Sequence, residues 1–159
     1  MCVLFILGDN MDKFMQKAIN LSNKALKNGD IPVAAIIVKN NKIVSSAYNT
    51  KYLKNDPTAH AEIIAIRKAC KKMKTTHLDG CILYVTLEPC MMCISAICQS
   101  HINKIVYCLK SPKYGYMFAT KEKFKISCEQ QYNFEYEQNL KNFFVGKRKN
   151  VPRATSEKE

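Results

Sequence analysis

Thr58-Ala59-His60-Ala61-Glu62-Ile63 and, well downstream, Leu87-Glu88-Pro89-Cys90-Met91-Met92-Cys93 decide how this chain folds and what it can do. Together they spell H-x-E followed by P-C-x-x-C. An imidazole and two thiolates suit a tetrahedral zinc ion, and a zinc centre with three protein ligands keeps its fourth position for water. His60, Cys90 and Cys93 supply those three ligands. Pro89 fits the first turn of a helix, where its missing N–H costs nothing. That sets Cys90 and Cys93 one turn apart on the same face. The positive end of the helix favours thiolates over thiols. His60 also falls near a helix start, with Thr58 as the expected N-cap. Glu62 points elsewhere on that first turn, where it can take and return a proton instead of binding the metal. These parts suffice for a hydrolytic reaction.

Each piece has a plainer reading. A C-x-x-C alone fits a redox pair or half of a closed structural zinc site. Cys98 is the nearest fourth ligand for a closed site, but it falls on a different helix face from Cys93. A closed site would also leave Glu62 unexplained.

Composition narrows the field further. A chain of 159 residues is long enough for one domain with a real core. Its eight cysteines do not read as a disulfide scaffold. Cys70, Cys81, Cys98 and Cys108 fall in apolar stretches, where a free thiol acts as a small hydrophobe. That usage points to a reducing, cytoplasmic compartment. The apolar run Cys2 to Leu7 is too short to cross a bilayer, and it lacks the basic flank and cleavage site of a signal peptide. No membrane association is expected. The net charge of +12 favours a polyanionic partner through phosphate contacts and counterion release. A lysine-rich composition inherited from genome base composition is the alternative source of that charge.

Periodicity gives one α/β unit without repeats or linkers. Met11, Phe14, Met15, Ala18, Ile19, Ala25 and Leu26 recur at helical spacing, and Gly29 closes that helix. Ile31–Lys39 reads as a strand, Asn40-Asn41 as a turn, and Lys42–Tyr48 as the returning strand. A second helix is expected from about Ala59 to Met73, with Ile63, Ile64, Ile66 and Ala69 inward. Cys81–Thr86 reads as a buried strand feeding the Pro89 helix. Further strands are expected within Ile102–Leu109 and at Lys123–Cys128. A last helix runs from about Phe134 to Lys147, with Leu140, Phe143 and Phe144 as its apolar side. This order implies a mixed sheet covered by helices on both faces, the two ligand-bearing helices starting side by side. Residues 1–10 read as an N-terminal extension, 11–150 as the catalytic domain and 151–159 as a disordered tail.

H-x-E with P-C-x-x-C is the signature of zinc-dependent nucleobase deaminases. The fuller strings Asp56–Ile63 and Leu83–Cys93 resemble those of the bacterial tRNA adenosine deaminases, within the cytidine-deaminase-like superfamily. Ile31-Pro32-Val33 resembles that family's first strand, Tyr48-Asn49 its substrate loop, and Ser100-His101-Ile102 the entry to its fourth strand. Phe143-Phe144 followed by Lys147-Arg148-Lys149 resembles its C-terminal helix. The resemblance implies a three-layer α/β/α fold around a mixed five-stranded sheet, with one zinc ion per subunit of a homodimer. It implies conversion of the wobble adenosine of a tRNA anticodon stem-loop to inosine, with release of ammonia. Glu62 would be the proton shuttle, Asn49 would hydrogen-bond the nucleoside, and Val33 and Leu87 would line the base pocket. Lys110, Lys113, Lys147, Arg148 and Lys149 would meet the RNA. Deamination of a free base or nucleotide, of guanine or cytosine type, uses the same zinc chemistry and stands as the alternative. The sequence departs from the family at Ala34, where Gly is usual, and at Ser111, where an acidic residue is usual. The second change leads to an expectation of less strict choice between RNA and DNA. His77 and His101 read as structural.

Overall fold

The computed structural model describes residues 11–111, 113, 115 and 125–149. The proposed N-terminal extension and the tail after residue 150 lie outside them. Helix α1 (Lys13–Lys27) opens on Asp12, whose side chain accepts from the Phe14 N–H, and closes at Asn28. Gly29 follows at φ +71, the left-handed geometry that ends a helix cheaply in glycine. Strands β1 (Ala34–Lys39) and β2 (Lys42–Tyr48) form a hairpin. Its two turn residues, Asn40 and Asn41, have φ of 48° and 60°. Two positive values match a tight turn whose twist suits the strands, and asparagine tolerates them. Helix α2 (Ala61–Met73), β3 (Ile82–Leu87), α3 (Met91–Gln99), β4 (Lys104–Leu109), β5 (Ser127–Gln130) and α4 (Phe134–Lys149) follow.

The sheet order is β2-β1-β3-β4-β5. β1 pairs antiparallel with both β2 and β3, whereas β3–β4 and β4–β5 are parallel. The mixed five-stranded expectation holds. Alternate residues of the central strands feed opposite faces. Ala35, Ile37, Leu83, Val85 and Ile105 pack with α2 and α3. Ile36, Val38, Tyr84 and Val106 pack with α1 and with Tyr136 and Leu140 of α4. Strands buried on both faces read as continuous apolar runs, as β1 and β4 do. Cys81 and Cys108 are buried within these layers, and no described cysteine forms a disulfide.

Several elements depart from the sequence expectations. The first strand begins at Ala34, because Val33 N–H turns back to the Ile31 carbonyl at 2.7 Å. The fifth strand is Ser127–Gln130, not Lys123–Cys128. Leu26 and Phe144 are 39% and 41% exposed, so neither is core. Thr58 caps no helix. Its N–H and hydroxyl both bond to Asp56 Oδ1, and the N-cap is His60 itself. Pro89 likewise stands just outside α3, whose N-cap is Cys90.

The register gathers one set of residues at one end of the sheet. Ala35 pairs with Val85, so continuing outward sets Val33 opposite Leu87. Ala34 pairs with Tyr48, which leaves Asn49 at the same rim, where its N–H donates to the Val33 carbonyl at 3.0 Å. Leu87 pairs with Leu109, which delivers Lys110 there too. The strand ends and the N-termini of α2 and α3 thus share one crevice.

Candidate active site

His60 and Cys90 are both helix N-caps in extended conformation, and neither makes a side-chain capping bond. Their side chains turn toward each other instead. His60 Nδ1 lies 3.7 Å from Cys90 Sγ and 3.6 Å from Cys93 Sγ. The three ligand atoms all fall within 4.8 Å of one another. Zinc bonds of about 2.3 Å to sulfur and about 2.0–2.1 Å to nitrogen, opened to a tetrahedral angle, place N and S about 3.6 Å apart. The donor set therefore fits such an ion in both chemistry and spacing. Cys93 is fully buried, whereas His60 and Cys90 are partly exposed, so one side of the trio stays open. Cys98 is not part of the group.

The thiols and the imidazole polarise one another. Cys90 is held down at about 4, first by the hydrogen bond from the Cys93 thiol and further by His60, against the opposing effect of burial. Cys93, as the donor, is pushed up well beyond the usual thiol range. His60 is raised by its hydrogen bond with Cys90. Two thiols and a ring thus lie within hydrogen-bonding reach of one another, and a cation bound there would displace their protons.

Glu62 is only 4% exposed and stands in the first turn of α2, with its carboxyl against the Cys93 thiol. Burial raises its carboxyl to about 7, partly countered by its own backbone N–H and by His60. A group poised near neutrality can both accept and return a proton. Asn49 is 4% exposed, and its Oδ1 accepts from the Ala61 N–H at 2.8 Å. That bond satisfies an orphan amide at the start of α2 and orients the amide, leaving the NH₂ end for another partner.

All of these side chains except Cys93 line one open cleft of about 950 Å³. Its walls include Val33 and Leu87 beside His60, Glu62 and Cys90, and its rim carries Lys110, Lys113, Lys147 and Arg148. The structure thus brings the expected base-pocket and RNA-contact residues to the same opening as the metal trio. The side chain of Lys149 lies outside the described residues.

Several cleft residues had escaped the sequence reading. Lys51 and Tyr52 stand at the rim, with Lys147 Nζ 5.1 Å above the Tyr52 ring. Basic residues interleaved with an aromatic were the available signal. Glu88 lies inside the quoted motif; its Oε2 accepts from the Ser111 N–H at 2.9 Å. A carboxylate therefore sits against the loop in which Ser111 replaces the family's acid. Beneath the rim, buried Asp30 accepts from the N–H groups of Tyr52 and Leu53 at 3.0 and 3.1 Å, which fixes the loop carrying Lys51 and Tyr52.

Comparison with known proteins agrees with this geometry. A family profile described as MafB19-like deaminase matches residues 9–148. The chain is 38% identical over 150 residues to a tRNA-specific adenosine deaminase of Buchnera aphidicola subsp. Schizaphis graminum, covering 89% of this chain and 99% of that one. A solved structure from work on A-to-I editing by tRNA:A34 deaminases at the wobble position of transfer RNA superposes with a TM-score of 0.71. It is 30% identical, covering 84% of this chain and 99% of that one. A guanine deaminase from Bacillus subtilis superposes with a TM-score of 0.61 at 32% identity, covering 95% of this chain and 99% of that one.

Proposed function

The chain belongs to the MafB19-like deaminases and to the tRNA-specific adenosine deaminase family, and from that premise we propose that it hydrolyses the wobble adenosine of a tRNA anticodon to inosine, releasing ammonia. The observation that carries this reading is the convergence of one cleft: metal trio, poised carboxylate, apolar walls and a cationic rim. A free-base enzyme gains little from five cations around its entrance, whereas an RNA substrate meets them with phosphates.

His60, Cys90 and Cys93 would hold zinc, which when bound would supply Lewis acidity and an activated water. Everything else falls to the chain. Val33 and Leu87 sandwich the flipped-out base and exclude bulk water. The Asn49 NH₂ group donates to the nucleoside, steadied by its bond to Ala61. Glu62 takes the proton that the attacking water sheds as oxygen bonds to C6. It delivers that proton to N1, and then carries a second to the departing amine. Water and adenosine go in; inosine and ammonia come out. Lys110, Lys113, Lys147, Arg148 and Lys149 neutralise phosphates of the stem-loop. We take the working unit to be a cytoplasmic homodimer with one zinc per subunit, the compartment being in line with the seven free cysteines among the described residues. No helix among the described residues is long and apolar enough to cross a membrane.

The likeness to a guanine deaminase favours one second reading, action on a free base. Zinc-loaded protein incubated with an anticodon stem-loop carrying adenosine at the wobble position separates the two. Ammonia release and RNA sequencing are read out, with guanine, adenine, adenosine and cytosine in parallel. A-to-I conversion in the RNA alone is expected. Turnover of a free base alone would keep the chemistry and overturn the substrate.

A further inference from the structure

The chain has three histidines, and only His60 belongs to the cleft. The fold stacks the other two, His77 and His101, with ring centroids 4.0 Å apart and planes at 31°. Asp79 reaches both: its Oδ2 lies 3.9 Å from His77 Nδ1 and its Oδ1 lies 3.8 Å from His101 Nδ1. One ligand atom from each residue falls within 4.8 Å of the other two. The side chains are open to solvent, at 56%, 70% and 50% exposure for His77, Asp79 and His101.

The backbone beneath them is fixed. Leu78 is fully buried, and its N–H donates to the Ser100 carbonyl at 2.7 Å, which ties the two loops together. The Cys81 N–H closes a turn onto the Leu78 carbonyl at 3.0 Å around Asp79 and Gly80. His101 itself sits at φ +61, a left-handed geometry that histidine, like asparagine and aspartate, adopts more readily than most side chains. Its N–H donates to the Cys98 carbonyl at 3.0 Å, and Ile102 anchors the next position in the core. Three ligand-bearing residues thus project from rigid loops toward one point.

We propose that His77, Asp79 and His101 form a second metal site, distinct from the cleft, that takes one divalent transition-metal ion. Two imidazoles and a carboxylate are a zinc ligand set, with water completing the coordination. A tetrahedral zinc needs N and O about 3.4 Å apart, which small rotations of these exposed side chains supply. The site lies where the loops after α2 and α3 meet, at the opposite ends of the two helices whose starts carry His60, Cys90 and Cys93. An ion there clamps both helices in place.

Equilibrium dialysis of the full chain against Zn²⁺, with elemental quantification, tests this directly. Two equivalents per chain are expected, falling to one in a His77→Ala/His101→Asn double variant; asparagine tolerates the positive φ at 101. Retention of the first equivalent shows that the variant folds. Asp79→Asn, a milder change, should also lose the second equivalent. In the parent, ring resonances of His77 and His101 should shift as the second equivalent binds. One equivalent in the parent, or a second equivalent that survives in both variants, overturns the proposal.

Discussion

Glu62, the proposed proton shuttle, carries a measurable linkage. Burial raises its carboxyl from 4.5 to about 7. The folded chain then holds that proton more tightly than the unfolded chain does. The stability this adds is complete below the ordinary carboxylate pKa and is lost as pH rises through about 7. Glu62→Gln has no such proton. In metal-free protein, urea unfolding from pH 4 to 8 should show the stability of parent minus variant falling by about 3 kcal/mol across that window. A difference that ignores pH would remove the carboxylate from its buried place. With metal bound, the same variant should keep its metal and lose turnover by roughly 10²–10⁴-fold. Asn49 offers a contrasting case, since its Oδ1 satisfies the buried Ala61 N–H. Asn49→Ala should cost about 1–3 kcal/mol of stability on top of any loss of substrate binding. A stability unchanged by chemical denaturation would mean that water replaces the side chain.

Among the elements, α4 joins core to cleft. Tyr136 is 2% exposed, and its hydroxyl bonds to the Pro32 carbonyl at 2.7 Å and to Thr86 Oγ1 at 2.8 Å. Thr86 Oγ1 also accepts from the Ala34 N–H at 3.1 Å. Farther along the same helix, Leu140, Phe144, Lys147 and Arg148 line the cleft. Tyr136→Phe should cost about 1–3 kcal/mol by leaving partners unsatisfied. It should also raise KM for the stem-loop while metal content stays constant; an unchanged KM would uncouple the anchor from the cleft. The sequence showed this helix and its basic end, because aromatic and aliphatic spacing is a local signal. It did not show that Phe144 faces the cleft, since an apolar residue at helical spacing looks the same whether it meets core or substrate. The strand starts and the two helix caps were misplaced for a related reason. A proline-bounded, β-branched run looks extended beyond its last ladder bond, and Thr58 and Pro89 carry strong capping and first-turn preferences. Here two of the candidate metal ligands, His60 and Cys90, are the N-caps instead, with no capping bond from the side chain of either. Local preference yields to the site that tertiary structure builds.

At the scale of the whole molecule, the +12 charge gathers partly around one opening. Binding of the stem-loop should weaken steeply with salt. Replacing Lys147 and Arg148 together by Gln should lower the slope of log K against log salt by roughly 0.7–0.9 for each phosphate contact removed. Titrations at several salt concentrations measure it. An unchanged slope would place the RNA elsewhere on the surface. The fold class was legible because each layer has its own periodicity. The cleft's rim was only partly so: Lys110, Lys113, Lys147 and Arg148 were expected from the family resemblance, whereas Lys51 and Tyr52 lie on a loop distant in sequence from all four.

Those uncapped helix starts have a consequence for anyone who would improve the protein. Asp or Ser, the usual N-cap residues, at His60 and Cys90 would accept from a first-turn amide, typically worth about 1 kcal/mol per helix and less where Asn49 and Glu62 already bond the first amides of α2. A His60→Asp/Cys90→Ser chain should therefore melt higher than the metal-free parent, and bind no metal at the cleft. Selection for thermal robustness alone would walk this sequence toward inactivity, so stabilising changes must be sought away from the two positions where the fold and its chemistry compete.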